Sequence, residues 1–148
     1  MKYEMYSDYN FTEDYSVFNF MSIGKNGAIP KRITFTATEL ENVFNLAFGD
    51  VDENGELDDC NISDNGDRNK ILATVFTVVD IYTKKYPKRW ILFSGSTRER
   101  TRLYRMAVGL NLEELSLIFE IYAFVEQELI LFAKNMEINS FVIKRKNP

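Results

Sequence analysis

Apolar positions along the chain follow two different periods. Ser16 to Ile23 alternates in part and is rich in β-formers, which predicts a strand. Gly24-Lys25-Asn26-Gly27 follows, and Asn-Gly favours the positive φ angles of a hairpin turn. A return strand is expected from about Ala28 to Thr36, with Ile33 and Phe35 on one face and Pro30 pointing to an edge position. Asn42 to Phe48 is a third candidate strand. An acidic loop from Asp50 to about Asp67 comes next, with room for a short return strand near Leu57 to Ile62.

The period then changes. Ile71, Leu72, Val75, Val78, Val79, Tyr82 and Tyr86 recur at helical spacing, which predicts an amphipathic helix from Asp67 to Tyr86. Asp67 stands as N-cap, and Lys84, Lys85 and Pro87 close the end. Leu72, Val75, Val79 and Tyr82 are expected against a sheet. Arg89 to Phe93 reads as a short buried strand ending at Ser94-Gly95. Ser96-Thr97-Arg98-Glu99 then matches a capping box for a second helix to about Val108. Leu115 to Val125 and Glu128 to Ala133 are expected to form a closing hairpin, and the tail from Ile138 to Lys146 reads equally as strand or helix. The order implies a single α+β domain over residues 1–148. Its expected form is a mainly antiparallel sheet packed by one long helix and one shorter arginine-rich helix.

Composition narrows the chemistry. The chain has 148 residues, 45% of them apolar, enough for one core. No apolar run approaches the roughly 20 residues of a membrane span, and the start shows no signal-peptide pattern, so a cytoplasmic protein is expected. Histidine is absent, which removes the usual general base and metal ligand. The single cysteine, Cys60, excludes an internal disulfide and any multi-cysteine zinc site. No cofactor motif is present. The net charge of −4 conceals two unlike halves: residues 1–67 hold fourteen acids and four bases, residues 68–148 eight acids and fourteen bases.

Three constellations carry candidate chemistry. The first is the turn Ser94, Ser96 and Thr97 followed by Arg98, Arg100, Arg102 and Arg105. Hydroxyls and free N–H groups at a helix start favour an anion. Arg98, Arg102 and Arg105 fall within about 60° on that helix, with Leu103, Met106 and Leu110 on the core face. Tyr104 adds a ring for base stacking. Three like charges on one stripe require a counter-charge. A phosphate-bearing ligand, a partner protein and the acidic loop 50–67 all qualify. The turn lacks the lysine and spacing of a P-loop. The second constellation, Asp50 to Asn61, follows an EF-hand loop until its last position, where Asn61 replaces the bidentate glutamate, so no metal site is expected. The third is catalysis: Asp58, Asp59, Asp67, Lys70 and Tyr104 exist, but no spacing ties them together.

The blocks Asn45-Leu46-Ala47-Phe48-Gly49-Asp50, Asn65-Gly66-Asp67 with Lys70 to Val75, and Gly95-Ser96-Thr97-Arg98-Glu99-Arg100-Thr101-Arg102-Leu103-Tyr104-Arg105-Met106 resemble a family of uncharacterised bacterial proteins of similar length. The resemblance implies one intact domain and no catalytic residue. The leading expectation is therefore a non-enzymatic binding or regulatory domain that takes a polyanion, single-stranded nucleic acid in particular. A protein-interaction module using strand edges or the acidic loop is the alternative, with homo-oligomerisation open. An enzyme of unfamiliar type is the third.

Overall fold

The computed structural model describes residues 4–58, 64–94, 98–125, 128–132 and 140–146. Its strands are β1 (Tyr9–Phe11), β2 (Val17–Gly24), β3 (Gly27–Ala37), β4 (Val43–Val51), β5 (Leu57–Asp58), β6 (Trp90–Ser94), β7 (Phe119–Val125), β8 (Glu128–Leu131) and β9 (Ser140–Arg145). The helices are α1 (Arg68–Lys85), α2 (Arg98–Leu110) and α3 (Leu112–Leu115). One sheet takes all nine strands in the order β1-β2-β3-β4-β6-β9-β7-β8, with β5 paired to β4. This corrects the expected fold class. The architecture is a large mixed sheet with three helices, the longest of 18 residues, rather than an antiparallel sheet packed by a long helix. The decisive difference is the parallel pairing of β4 with β6, from Val43–Trp90 to Leu46–Phe93. Hydrophobic alternation reports that a strand exists but carries no direction.

Period-two alternation sorts the side chains onto two faces. Phe18 and Phe20 on β2, Ile33 and Phe35 on β3, Leu46 and Phe48 on β4, Ile91 and Phe93 on β6, and Phe141 and Ile143 on β9 are all buried. Their registers place them on one inner face. Helix α1 meets that face through Tyr82, stacked on Phe35 with ring centroids 3.8 Å apart, and Phe76, 5.6 Å from Phe93. Val75 and Val79 are buried as expected, but Leu72 is only half-buried. On α2 the core face is Thr101, Tyr104, Ala107 and Val108, while Met106 is 41% exposed. Of the core face expected from sequence, Met106 points outward instead, and the side chains of Leu103 and Leu110 lie outside the described residues.

Three local expectations also change. Leu115 belongs to α3, and the closing hairpin starts at Phe119. The tail is a strand, β9. Pro30 lies in β3, between β2 and β4 and not at the sheet edge. Its missing N–H does no harm, because the β3–β4 ladder begins one residue later, at Lys31–Asp50. Gly24 closes the β2–β3 hairpin against the chain before α1. A Cβ there would lie 1.9 Å from the Asn65 carbonyl oxygen, so only glycine permits the contact.

The turn from Thr12 to Ser16 links β1 to β2 and is organised by one carboxylate. Asp14 accepts hydrogen bonds from the Ser16 hydroxyl at 2.7 Å, the Ser16 N–H at 3.1 Å and the Thr12 hydroxyl at 2.8 Å. These donors, the Ser16 hydroxyl first, lower its pKa from the usual 3.8 to about 2. A carboxylate with a depressed folded-state pKa stabilises structure above its unfolded value and loses that contribution as protons bind. The turn is therefore expected to hold at neutral pH and to open as pH falls from about 4 to about 2. The Ser16 amide resonance, followed by NMR, should titrate in that window and not in Asp14→Asn.

Candidate functional site

The two faces of the sheet are finished differently. The inner face carries α1 and α2. Among the described residues, no helix or strand covers the outer face where it is formed by β4, β6, β9, β7 and β8. The outward positions there are Val43, Trp90, Leu92, Val142, Tyr122, Phe124, Leu129 and Leu131 by register. A groove of about 480 Å³ runs across this surface, with Leu40, Trp90, Leu92, Phe124, Leu129 and Val142 among its lining. Its charged lining residues are Glu39 and Glu41, both acidic. Trp90 stands 5.8 Å from Tyr122, and the Lys144 ammonium lies 5.9 Å from the Trp90 ring. Leu40 is 62% exposed and Leu131 72%. The sequence marks Arg89 to Phe93 as a short buried strand. The structure buries one face of it and leaves Trp90 and Leu92 half-open.

Beside the groove, β8 forms one edge of the sheet, and its four residues Glu128, Leu129, Ile130 and Leu131 are all exposed. The Phe132 N–H donates to the Ile121 carbonyl at 3.0 Å, which makes Ile121 and Phe132 a hydrogen-bonded pair. Alternation then makes Ala123–Ile130 a hydrogen-bonded pair and Phe124–Leu129 and Tyr122–Leu131 non-hydrogen-bonded ones. The backbone N–H and C=O groups of Leu129 and Leu131 consequently point away from β7. The opposite edge, β1, has three residues and runs into the Asp14 turn.

The arginine-rich segment is only partly visible as a site. Ser94 ends β6 opposite Ser140. Ser96 and Thr97 lie outside the described residues, so the expected helix cap does too. Arg98 and Arg100 are in the first turn of α2. Arg102 is exposed and Arg105 half-buried, and neither makes an ion pair among the described residues. Tyr104 overturns the stacking expectation: it is 2% exposed, with its ring edge 5.5 Å from Phe93 in the core. Four carboxylates of the acidic loop have other partners. Asp50 pairs with Lys31 and Asp64 with Lys25, while Asp67 accepts from Tyr6 and Ser22. Asp52 binds the N–H groups of Asn54 and Glu56, each at 2.9 Å, as a turn residue. Asp59, Cys60 and Asn61 lie outside the described residues.

Sequence reasoning missed a buried polar cluster at one end of the inner face. Lys31, 2% exposed, pairs across the strands with Asp50 and sits opposite Phe20. Two residues along β2, Ser22 donates to Asp67 and accepts from the Asn65 amide at 3.0 Å. Tyr6 donates to the same Asp67 carboxylate and accepts the Ile23 N–H at 3.0 Å. Burial, then the Asp67 contact, raises the Tyr6 pKa above 10. These bonds tie the N-terminal segment and the β2–β3 hairpin to the start of α1. A lysine in an alternating apolar register is the only trace of this in the sequence. Removing one partner of such a pair leaves a buried charge, so Asp50→Ala should lose about 3–5 kcal/mol in urea unfolding. The double change Lys31→Met/Asp50→Leu should recover most of it, because apolar groups of like size need no partner.

No described helix is long and apolar enough to cross a membrane. No curated protein and no solved structure matches the chain. A protein-family model does match it, over residues 2–146. The three sequence blocks lie inside that span. The chain belongs to DUF6934, a family of unknown function.

Proposed function

We propose that the protein is an interaction module that receives an extended segment of a protein partner on the outer face and β8 edge. The observation that carries this reading is the apolar groove of about 480 Å³ beside an edge strand with all four residues exposed. Exposed apolar surface of this kind marks partner binding in soluble proteins, and unpaired edge groups are a template for an added strand. Glu39 and Glu41 on the groove favour a partner with apolar anchors and a basic flank. Trp90 is the only tryptophan, so its fluorescence reports occupancy directly.

A displayed random-peptide library selected on the wild-type chain should yield sequences with alternating apolar residues and added Lys or Arg. Their binding, followed by Trp90 emission, should weaken at least about tenfold in Leu129→Pro and in Leu40→Lys. Leu129→Pro removes an exposed side chain and an outward N–H but no ladder hydrogen bond, so the fold should persist. Selected peptides that bind both variants as well as the wild type would defeat the reading.

Nucleic-acid binding through α2 stands as a second reading, favoured by exposed Arg102 next to half-buried Arg105. In fluorescence anisotropy with an oligothymidylate, Arg102→Glu should weaken binding and reduce the log–log salt slope by about 0.7. An unchanged slope removes Arg102 from any such interface.

A further inference from the structure

We infer that the edge of β8, open among the described residues, pairs with β8 of a second copy of this chain about a two-fold axis at Ile130. The inference rests on the interaction-module reading and names an occupant for the β8 edge alone. Leu129 and Leu131 turn their backbone groups outward, one on either side of Ile130. Such a set is its own complement in an antiparallel arrangement. With Ile130 on the axis, Leu129 faces the partner's Leu131, and Leu131 faces the partner's Leu129. Each facing pair exchanges two hydrogen bonds, so four close across the axis. Ile130 meets the partner's Ile130 at the narrow position between them, with Cα atoms about 4.5 Å apart. A contact of this type is isologous and closes at two copies, leaving no free edge at β8 to recruit a third.

Side chains and charge agree with that register. Leu129 and Leu131, 47% and 72% exposed, lie on the outer face with the groove, so four leucines cluster across the axis. Between Leu129 and Leu131 the strand carries no charge. Glu128 of each copy falls at opposite ends, across from the partner's Phe132 and away from the partner's Glu128. No charge, proline or covering element blunts β8 between these leucines among the described residues, whereas β1 is kept to three residues. A four-residue edge, about 13 Å long, covers less than the ~800 Å² per partner of a standard stable interface. The dimer is therefore weak and concentration-dependent.

Sedimentation equilibrium of the full chain should show the apparent mass rising from 17.3 kDa towards twice that value as concentration rises from about 10 µM to about 1 mM. Leu129→Pro and Leu131→Lys should stay at one chain while keeping the wild-type circular dichroism and melting profile. On a Cys60→Ser background, Ile130→Cys should oxidise to a disulfide dimer, since about 4.5 Å lies within disulfide range. Leu129→Cys should not, because its symmetry mate stands two positions away along the strand. A wild-type mass fixed at one chain, with no preferential oxidation of Ile130→Cys, overturns the inference, as does faster oxidation of Leu129→Cys. Peptide selection is read separately. A monomeric chain that still yields edge-dependent peptides loses only the second copy as partner, whereas failure of both experiments removes the module reading as well.

Discussion

β4 and β6 run parallel over four residue pairs, and a parallel pair needs a crossover of a dozen or more residues between its strands. Helix α1 supplies that crossover, and this one connection governs the rest of the sheet. Ahead of it lie β1 to β4, an antiparallel meander joined by short turns. Behind it β9, β7 and β8 add antiparallel to β6. Among the described residues the meander and the C-terminal strands share no other ladder. The helix must therefore be held at both ends, and it is. Its start is held through Asp67, Ser22 and Tyr6, and its end through the ring stack of Tyr82 on Phe35. The buried Lys31–Asp50 pair lies at the same end of the inner face as Asp67. Polar order is concentrated where the crossover begins.

A crossover helix can lie on only one side of a sheet. With α1 and α2 both on the inner face, the central strands have an outer face and no second layer among the described residues. β6 shows the result: Ile91 and Phe93 are fully buried, and Trp90 and Leu92, one residue out of phase, are half-open. Parallel strands usually carry apolar residues on both faces because both are covered. Here the composition of a two-sided strand occurs with a single cover. That mismatch is the strongest physical argument that something else completes the outer face.

Much of this was legible in the chain. The first hairpin, the third strand, the limits of α1 and the strand from Trp90 to Phe93 all follow from period and turn chemistry. These signals are local. Strand direction and order are not, so the β4–β6 pairing was invisible and the fold class came out wrong. Tyr104 shows the same limit on a smaller scale. Helical spacing placed it near the arginines, but its burial rests on Phe93 across the core, which helical spacing cannot report. The groove left no motif because it is assembled from five strands and a loop, none distinctive alone. The β8 edge was readable as a strand, and the alternative reading named strand edges. Which edge stays open is a property of the whole sheet.

The charge asymmetry survives folding in a form that bears on partners. The ion pairs Lys25–Asp64 and Lys31–Asp50 join residues of the acidic half, while Asp80 joins Lys84 and Arg145 within the basic half. These pairs do not neutralise one half with the other. β8 belongs to the basic half, which carries fourteen bases against eight acids. Pairing at that edge brings two like-charged halves together, although the contacting leucines are neutral. The repulsion is long-ranged and exposed, so it is largely screened beyond about 10 Å at 0.1 M salt. Hydrogen bonds and apolar contacts at the edge are not screened in this way. Salt therefore acts in opposite directions on the two kinds of partner. It would strengthen the proposed self-pairing through β8, and it would weaken a polyanion held by Arg102 through loss of counterion release.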